Sequence, residues 1–159
     1  MSVGIRPANA DDVPAIASLI RALSRFEKLE SEVTMTEADL HATLFGPRPY
    51  AETVLAEEDG SAVGFALFFH NYSTFLGRPG LYLEDLYVLE SHRGKGIGKE
   101  LLAHLAKIAV ERHCGRMEWA VLDWNVDAIG FYERLGARPN SDWTVYRLTG
   151  EALSRLAGQ

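Results

Sequence analysis

Two acidic residues stand side by side in an apolar stretch, Tyr82-Leu83-Glu84-Asp85-Leu86-Tyr87-Val88, and they are the first positions that suggest chemistry. A carboxylate inside a buried strand is costly without a partner or a task, and strand alternation sends Glu84 and Asp85 to opposite faces. A salt bridge or a strand end reaching solvent would accommodate the pair, and so would a site that takes a proton or holds a cation. Shortly after, Arg93-Gly94-Lys95-Gly96-Ile97-Gly98-Lys99 places three glycines where a helical pattern begins. Residues without Cβ atoms let main-chain N–H groups close on a phosphate at the positive end of a helix dipole, and Arg93 adds a side-chain charge. A tight strand-to-helix turn would use the same glycines. The spacing is not a Walker loop, because Glu100 follows Lys99. Nor is it a dinucleotide fingerprint, because the glycines fall as G-x-G-x-G and too little chain follows for a second nucleotide-binding half.

The elements that must position these residues follow from periodicity. Residues 82–88 have the aromatic and β-branched content of a strand. Ile97, Leu101, Leu102, Leu105, Ile108 and Ala109 recur at helical spacing. A helix over 98–112 then serves as the crossover to a parallel strand over 117–122. Upstream, a short strand over 3–6 ends at Pro7, and Asp11-Asp12 opens a helix with Pro14 in its first turn and a stripe of Ile16, Leu19, Ile20, Leu23 and Phe26. Its far end carries Glu27, Glu30 and Glu32, which read as a solvated helix end or as the lining of a cationic pocket. Thr36-Glu-Ala-Asp39 is a capping sequence for a second, short helix. Strands over 53–56 and 61–70 are joined through Glu58-Asp59-Gly60, a hairpin signal. Downstream, Asn125 caps a helix that runs through Tyr132 and ends at Gly136, a strand covers 143–148, and a last helix starts at Glu151. Antiparallel strands feeding a strand-helix-strand unit argue an α+β fold, with all 159 residues in a single domain.

Composition excludes several classes. A net charge of −6 argues against a nucleic-acid partner. No apolar run is long enough for a membrane span and no charged start leads into a secretory segment. One cysteine, Cys114, allows no internal disulfide and fits a reducing cytoplasm; it reads as a small core residue rather than a nucleophile. The five histidines show no ligand spacing, so no metal is expected.

Residues 93–98 resemble the diphosphate loop (Arg/Gln-x-x-Gly-x-Gly/Ala) of the GNAT superfamily of N-acetyltransferases. Ile5-Arg6-Pro7-Ala8, Tyr82-Leu83-Glu84-Asp85, Asp123-Trp124-Asn125 and Phe131-Tyr132-Glu133-Arg134-Leu135-Gly136-Ala137 resemble the diamine (spermidine/spermine) and thialysine acetyltransferase branch, in order and along nearly the whole chain. The resemblance implies a GNAT fold: a mixed, mostly antiparallel twisted sheet of six to seven strands, four to five flanking helices, and a splayed parallel pair at the centre. It implies acetyl-coenzyme A as co-substrate, held by Leu86, Tyr87 and Val88, by Arg93, Gly94, Lys95, Gly96, Ile97, Gly98 and Lys99, and by Asn125, Asp127, Ala128 and Tyr132. It implies a small-amine pocket drawn from Phe26, Glu27, Glu84, Asp85, Glu118, Trp119 and Ala120, and a homodimer.

Acetyl transfer to an amine poses problems that these residue types can solve. A primary ammonium of pKa about 10.4 costs about 4 kcal/mol to present as free amine at neutral pH unless a base takes its proton. Glu84 is the expected base, through a water, with Asp85 binding the cation. The developing oxyanion needs donors, expected from the backbone at Leu86, in the stretch Leu86-Tyr87-Val88 where the family's strand bulges. Tyr132, a phenol protonated at neutral pH, is by resemblance the acid for the leaving thiolate, although a Phe-Tyr pair on a helix also packs cores. Ser73 stands where the polyamine branch carries an extra acid, so the thialysine branch is the closer likeness. Acetylation of protein amino termini or lysines, a coenzyme-A-binding sensor without catalysis, and a nucleotide-binding regulatory domain are the alternatives.

Overall fold

The computed structural model describes residues 3–159, which form two compact units, one ending at Ala120 and the other spanning Val121–Gln159. The first unit holds one five-stranded sheet in the order β1 (Val3–Pro7), β2 (Glu52–Glu58), β3 (Ser61–Ser73), β4 (Arg78–Val88), β5 (Met117–Trp119). All neighbours run antiparallel except β4 and β5. The hairpin between β2 and β3 turns on Asp59 and Gly60, whose φ values of 52° and 79° suit the two-residue turn that matches strand twist.

Helix α1 (Val13–Phe26) follows a single 3₁₀ turn at Ala10–Asp12, where Asn9 and Asp12 cap each other's backbone. Its stripe of Val13, Ile16, Leu19 and Leu23 packs with Leu40 and Leu44 of α2 (Glu37–Leu44) and with Leu55, Phe65 and Tyr87 of the sheet. The capping box of Thr36 and Asp39 starts α2 as its sequence requires. Helix α3 (Ile97–Glu111) crosses between the parallel strands and buries Ile97, Leu101, Leu102, Leu105 and Ala109. It approaches the sheet closely at Gly64, where a Cβ would lie 2.9 Å from the Tyr87 carbonyl oxygen and 3.5 Å from Leu101 Cδ1. Arg6 clamps the far edge with Nη bonds of 2.8 Å to both Asp12 oxygens and an Nε bond of 2.8 Å to Glu57. The second unit holds α4 (Val126–Arg134), capped by Asn125 Oδ1 accepting from the Ala128 amide at 3.3 Å, and α5 (Gly150–Leu156).

Several expectations are corrected. The sheet has five strands among the described residues rather than six or seven, and its parallel pair lies at an edge rather than the centre. Residues 143–148 have strand composition but no ladder partner among the described residues, and Trp143, Val145 and Tyr146 are exposed. Propensity describes a surface that fits a sheet; a neighbouring strand is what makes one. The expected strand over 117–122 stops at Trp119. Cys114 is half-exposed rather than a core residue, with its Sγ 3.9 Å from His70 Nδ1.

Candidate active site

Between β4 and α3 the chain makes a 3₁₀ turn, Glu90–His92, and then the glycine loop. Gly94 and Gly96 have φ values of 80° and 82°, a left-handed backbone that disfavours any side chain. A Cβ at either would meet nothing within 4 Å, so conformation and not crowding demands glycine there. The first helical bond of this segment runs from the Glu100 amide to the Gly96 carbonyl at 3.0 Å. The six amides of residues 94–99 donate to no group among the described residues. Open, unpaired N–H groups at the positive end of a 15-residue helix suit a diphosphate. The side chain of Ile97 is core, 2 % exposed, so it offers only its amide. Lys95 Nζ lies 3.9 Å from Glu58, and Lys99 sits in the first turn of α3. Arg93 turns back onto the protein: its Nε donates to the Val88 carbonyl at 3.1 Å, and its guanidinium lies 4.4 Å from the Phe26 ring and 5.3 Å from the Tyr87 ring. Beside these rings a surface cavity of about 450 Å³ is lined by Ala22, Arg25, Phe26, Tyr87, Leu89, Glu90 and Ser91.

The carboxylates gather at the same end of β4. The ladder to β3 shifts there, Leu67 pairing with Asp85 and Phe68 with Leu83, which makes Glu84 the extra residue of a bulge. The family likeness placed the bulge at Leu86–Val88; those residues instead keep regular pairing with Ala66, Phe65 and Gly64. Glu84 is exposed and Asp85 is half-buried. Burial first, then the charges of Glu84 and Glu27, push the Asp85 carboxyl up to about 6. Burial likewise raises Glu27, which ends α1 beside Phe26. The acid raised furthest is thus Asp85, which feels the charge of two other carboxylates. Strand β5 pairs with β4 only at Leu81, Tyr82 and Leu83, so the outer edge of β4 from Glu84 to Val88, Leu86 and Tyr87 included, faces no strand among the described residues.

Glu118 faces Tyr82 across the parallel pair, accepts from Asn71 Nδ2 at 3.2 Å and lies 3.4 Å from Arg116 Nε. Burial, Glu84 and Glu118 together raise the Tyr82 phenol. Trp119 is half-buried opposite Leu83, and Ala120 follows the strand, exposed. In the second unit Asp127 and Ala128 lie in the first turn of α4, and Tyr132 is half-buried on the same helix with its ring 5.6 Å from that of Phe131. The reading of the sequence alone passed over Glu58 and His92, which meet at 2.9 Å beneath the glycine loop. A glutamate closing a hairpin strand looks like any solvated turn residue, and only long-range packing reveals its burial. Among the described residues no group of three or more His, Cys, Asp or Glu could hold a metal ion, and no helix is long and apolar enough to cross a membrane.

Comparison with known proteins agrees with this geometry. The model of the Acetyltransferase (GNAT) family matches residues 16–137. The chain is 38% identical to a thialysine N-epsilon-acetyltransferase of Sus scrofa, covering 99% of each chain. It is 37% identical to an L-ornithine N5-acetyltransferase of Arabidopsis thaliana, covering 96% of this chain and 86% of the relative. Among solved structures, an integron cassette protein from the mobile metagenome of V. cholerae superimposes with a TM-score of 0.84 at 29% identity, covering 100% of this chain and 99% of the other. A loop of free amides at a helix start, acids gathered at a strand bulge, and a family match that spans both therefore lead to one assignment: the chain belongs to the GNAT family of acetyltransferases.

Proposed function

We propose that this enzyme moves the acetyl group of acetyl-coenzyme A onto the side-chain primary amine of a small amino acid of the size of thialysine, lysine or ornithine, diamines being the next nearest acceptors. The observation that carries the reading is the cluster of Glu27, Glu84 and Asp85 at one end of β4, where burial and mutual charge raise Asp85 to about 6. Two part-buried acids beside a third, exposed one favour a cation, and an alkylammonium supplies it.

The glycine loop and the open β4 edge of the first unit support acetyl-coenzyme A as the donor. The amides of residues 94–99, with Lys95 and Lys99, would hold its diphosphate, the open edge at Leu86, Tyr87 and Val88 its pantetheine amides, and Asn125, Asp127 and Ala128 its remaining polar groups. When bound, it supplies an activated acyl carbon. Asp85 and Glu27 hold the acceptor's ammonium, and Glu84, exposed on the bulge, takes its proton through a water. The Leu86 amide donates to the acyl oxygen, and Tyr132 keeps a phenolic proton for the departing sulfur. In this reading the two units act as one domain, the active form is a homodimer, and the compartment is the reducing cytoplasm.

Steady-state kinetics over thialysine, ornithine, lysine, putrescine, spermidine and a lysine-bearing peptide test the assignment. The amino acids should lead in kcat/KM by at least about tenfold, a difference of about 1.4 kcal/mol in transition-state binding. Preference for the peptide would overturn the small-amine reading.

A further inference from the structure

We propose that Glu58 is a positioning residue for the diphosphate loop, anchoring it through His92 so that its amides are aimed before the ligand arrives; this rests on the reading that residues 94–99 take the diphosphate. Glu58 is the last residue of β2, with a side chain 6 % exposed. A carboxylate so deeply placed needs partners. The two it finds among the described residues come from the segment between β4 and α3: His92 Nε2 at 2.9 Å and Lys95 Nζ at 3.9 Å. A carboxylate only accepts, so His92 Nε2 is the donor. In the neutral ring its Nδ1 then accepts from the Ser91 hydroxyl, 2.8 Å away. The result is a completed chain from Ser91 through His92 to Glu58.

The loop needs such an anchor. Its own amides donate to nothing among the described residues, so apart from the long Lys95 contact its ends restrain it: α3 on one side and the Glu90–His92 turn on the other. That turn is closed by the His92 amide on the Leu89 carbonyl at 2.9 Å and the Arg93 amide on the Glu90 carbonyl at 3.3 Å, and tied to β3 by the Leu89 amide on the Val63 carbonyl at 2.9 Å. His92 on Glu58 fixes the turn to β2 as well, one residue before the loop begins. Charge alone argues the other way, since a negative group 3.9 Å from Lys95 opposes an incoming anion. A carboxylate tolerated there is kept for the hydrogen bond it accepts, which lowers the ordering cost of binding.

Hydrogen bond and charge separate by substitution. Glu58→Gln keeps an acceptor for His92 and loses the charge, so KM for acetyl-coenzyme A should stay within about threefold. Glu58→Leu and His92→Phe each remove a hydrogen bond to a charged group, and each should raise that KM by about tenfold or more. Their double variant should be no worse than either alone, because both break one anchor. With S-acetylpantetheine, which lacks the diphosphate, KM should not respond to either substitution. An unchanged KM in Glu58→Leu and His92→Phe, equal damage with both acyl donors, or additive effects would each overturn the proposal. If Glu58→Leu does not fold, His92→Phe carries the same comparison. A wild-type enzyme that gains nothing from the diphosphate, with equal KM for the two donors, would instead refute the reading of the loop.

Discussion

With its carboxyl pushed up to about 6, Asp85 keeps its proton in the folded chain at pH values where an unfolded aspartate, near 3.8, has lost it. The folded state therefore binds more protons between those values, and the associated stability, present below pH 4, is lost as pH rises through 6. Asp85→Asn should remove this dependence and leave the protein more stable than wild type at pH 7.5, by at most about 3 kcal/mol, as read from urea midpoints across pH 4–8. The same substitution should erase a kcat/KM limb near pH 6. Glu84, on the exposed bulge, should show the complementary pattern. Glu84→Gln is expected to lower kcat/KM by about a hundredfold or more with little change in stability, and an unaltered rate and pH profile would remove it as the base. Tyr132→Phe should lower kcat while the acetyl-coenzyme A affinity, measured by calorimetry, holds.

At the scale of elements, the start of α3 rests on two glycines of different kinds. Gly96 is left-handed, so Gly96→Ala forces a side chain into a conformation costing about 1–2 kcal/mol, and KM for acetyl-coenzyme A should rise as the loop reshapes. Gly98 is not strained, and a Cβ there would lie 3.9 Å from Val88 Cγ2, an ordinary contact. Gly98→Ala should therefore leave both stability and KM nearly unchanged. Equal effects of the two substitutions would contradict a loop shaped by backbone conformation. The bulge in β4 is the other decisive element. By inserting Glu84 against β3 it puts consecutive acids in unlike surroundings, one in water and one among Leu67, Glu27 and the sheet.

For the whole molecule, ligand binding to the folded state alone must raise its melting temperature. Coenzyme A at a hundred times its Kd should add about 2.7 kcal/mol, a shift of about 5–10 °C, whereas ATP should add little. Much of this architecture was legible in residue order, because it is local. Helical stripes, the Thr36 and Asn125 caps, the Asp59-Gly60 turn and the glycines before α3 depend on neighbours within about one turn of chain. The motif at 93–98 and the chemistry it implies were visible for the same reason. What only the tertiary structure decided is which acid is buried, where the β4 ladder slips, that Arg93 folds back over Phe26 and Tyr87, that Glu58 lies beneath the loop, and that the parallel pair ends at the sheet's edge. Each of these depends on residues distant in the chain: burial and its effect on a carboxyl come from what packs above it, and register comes from the partner strand.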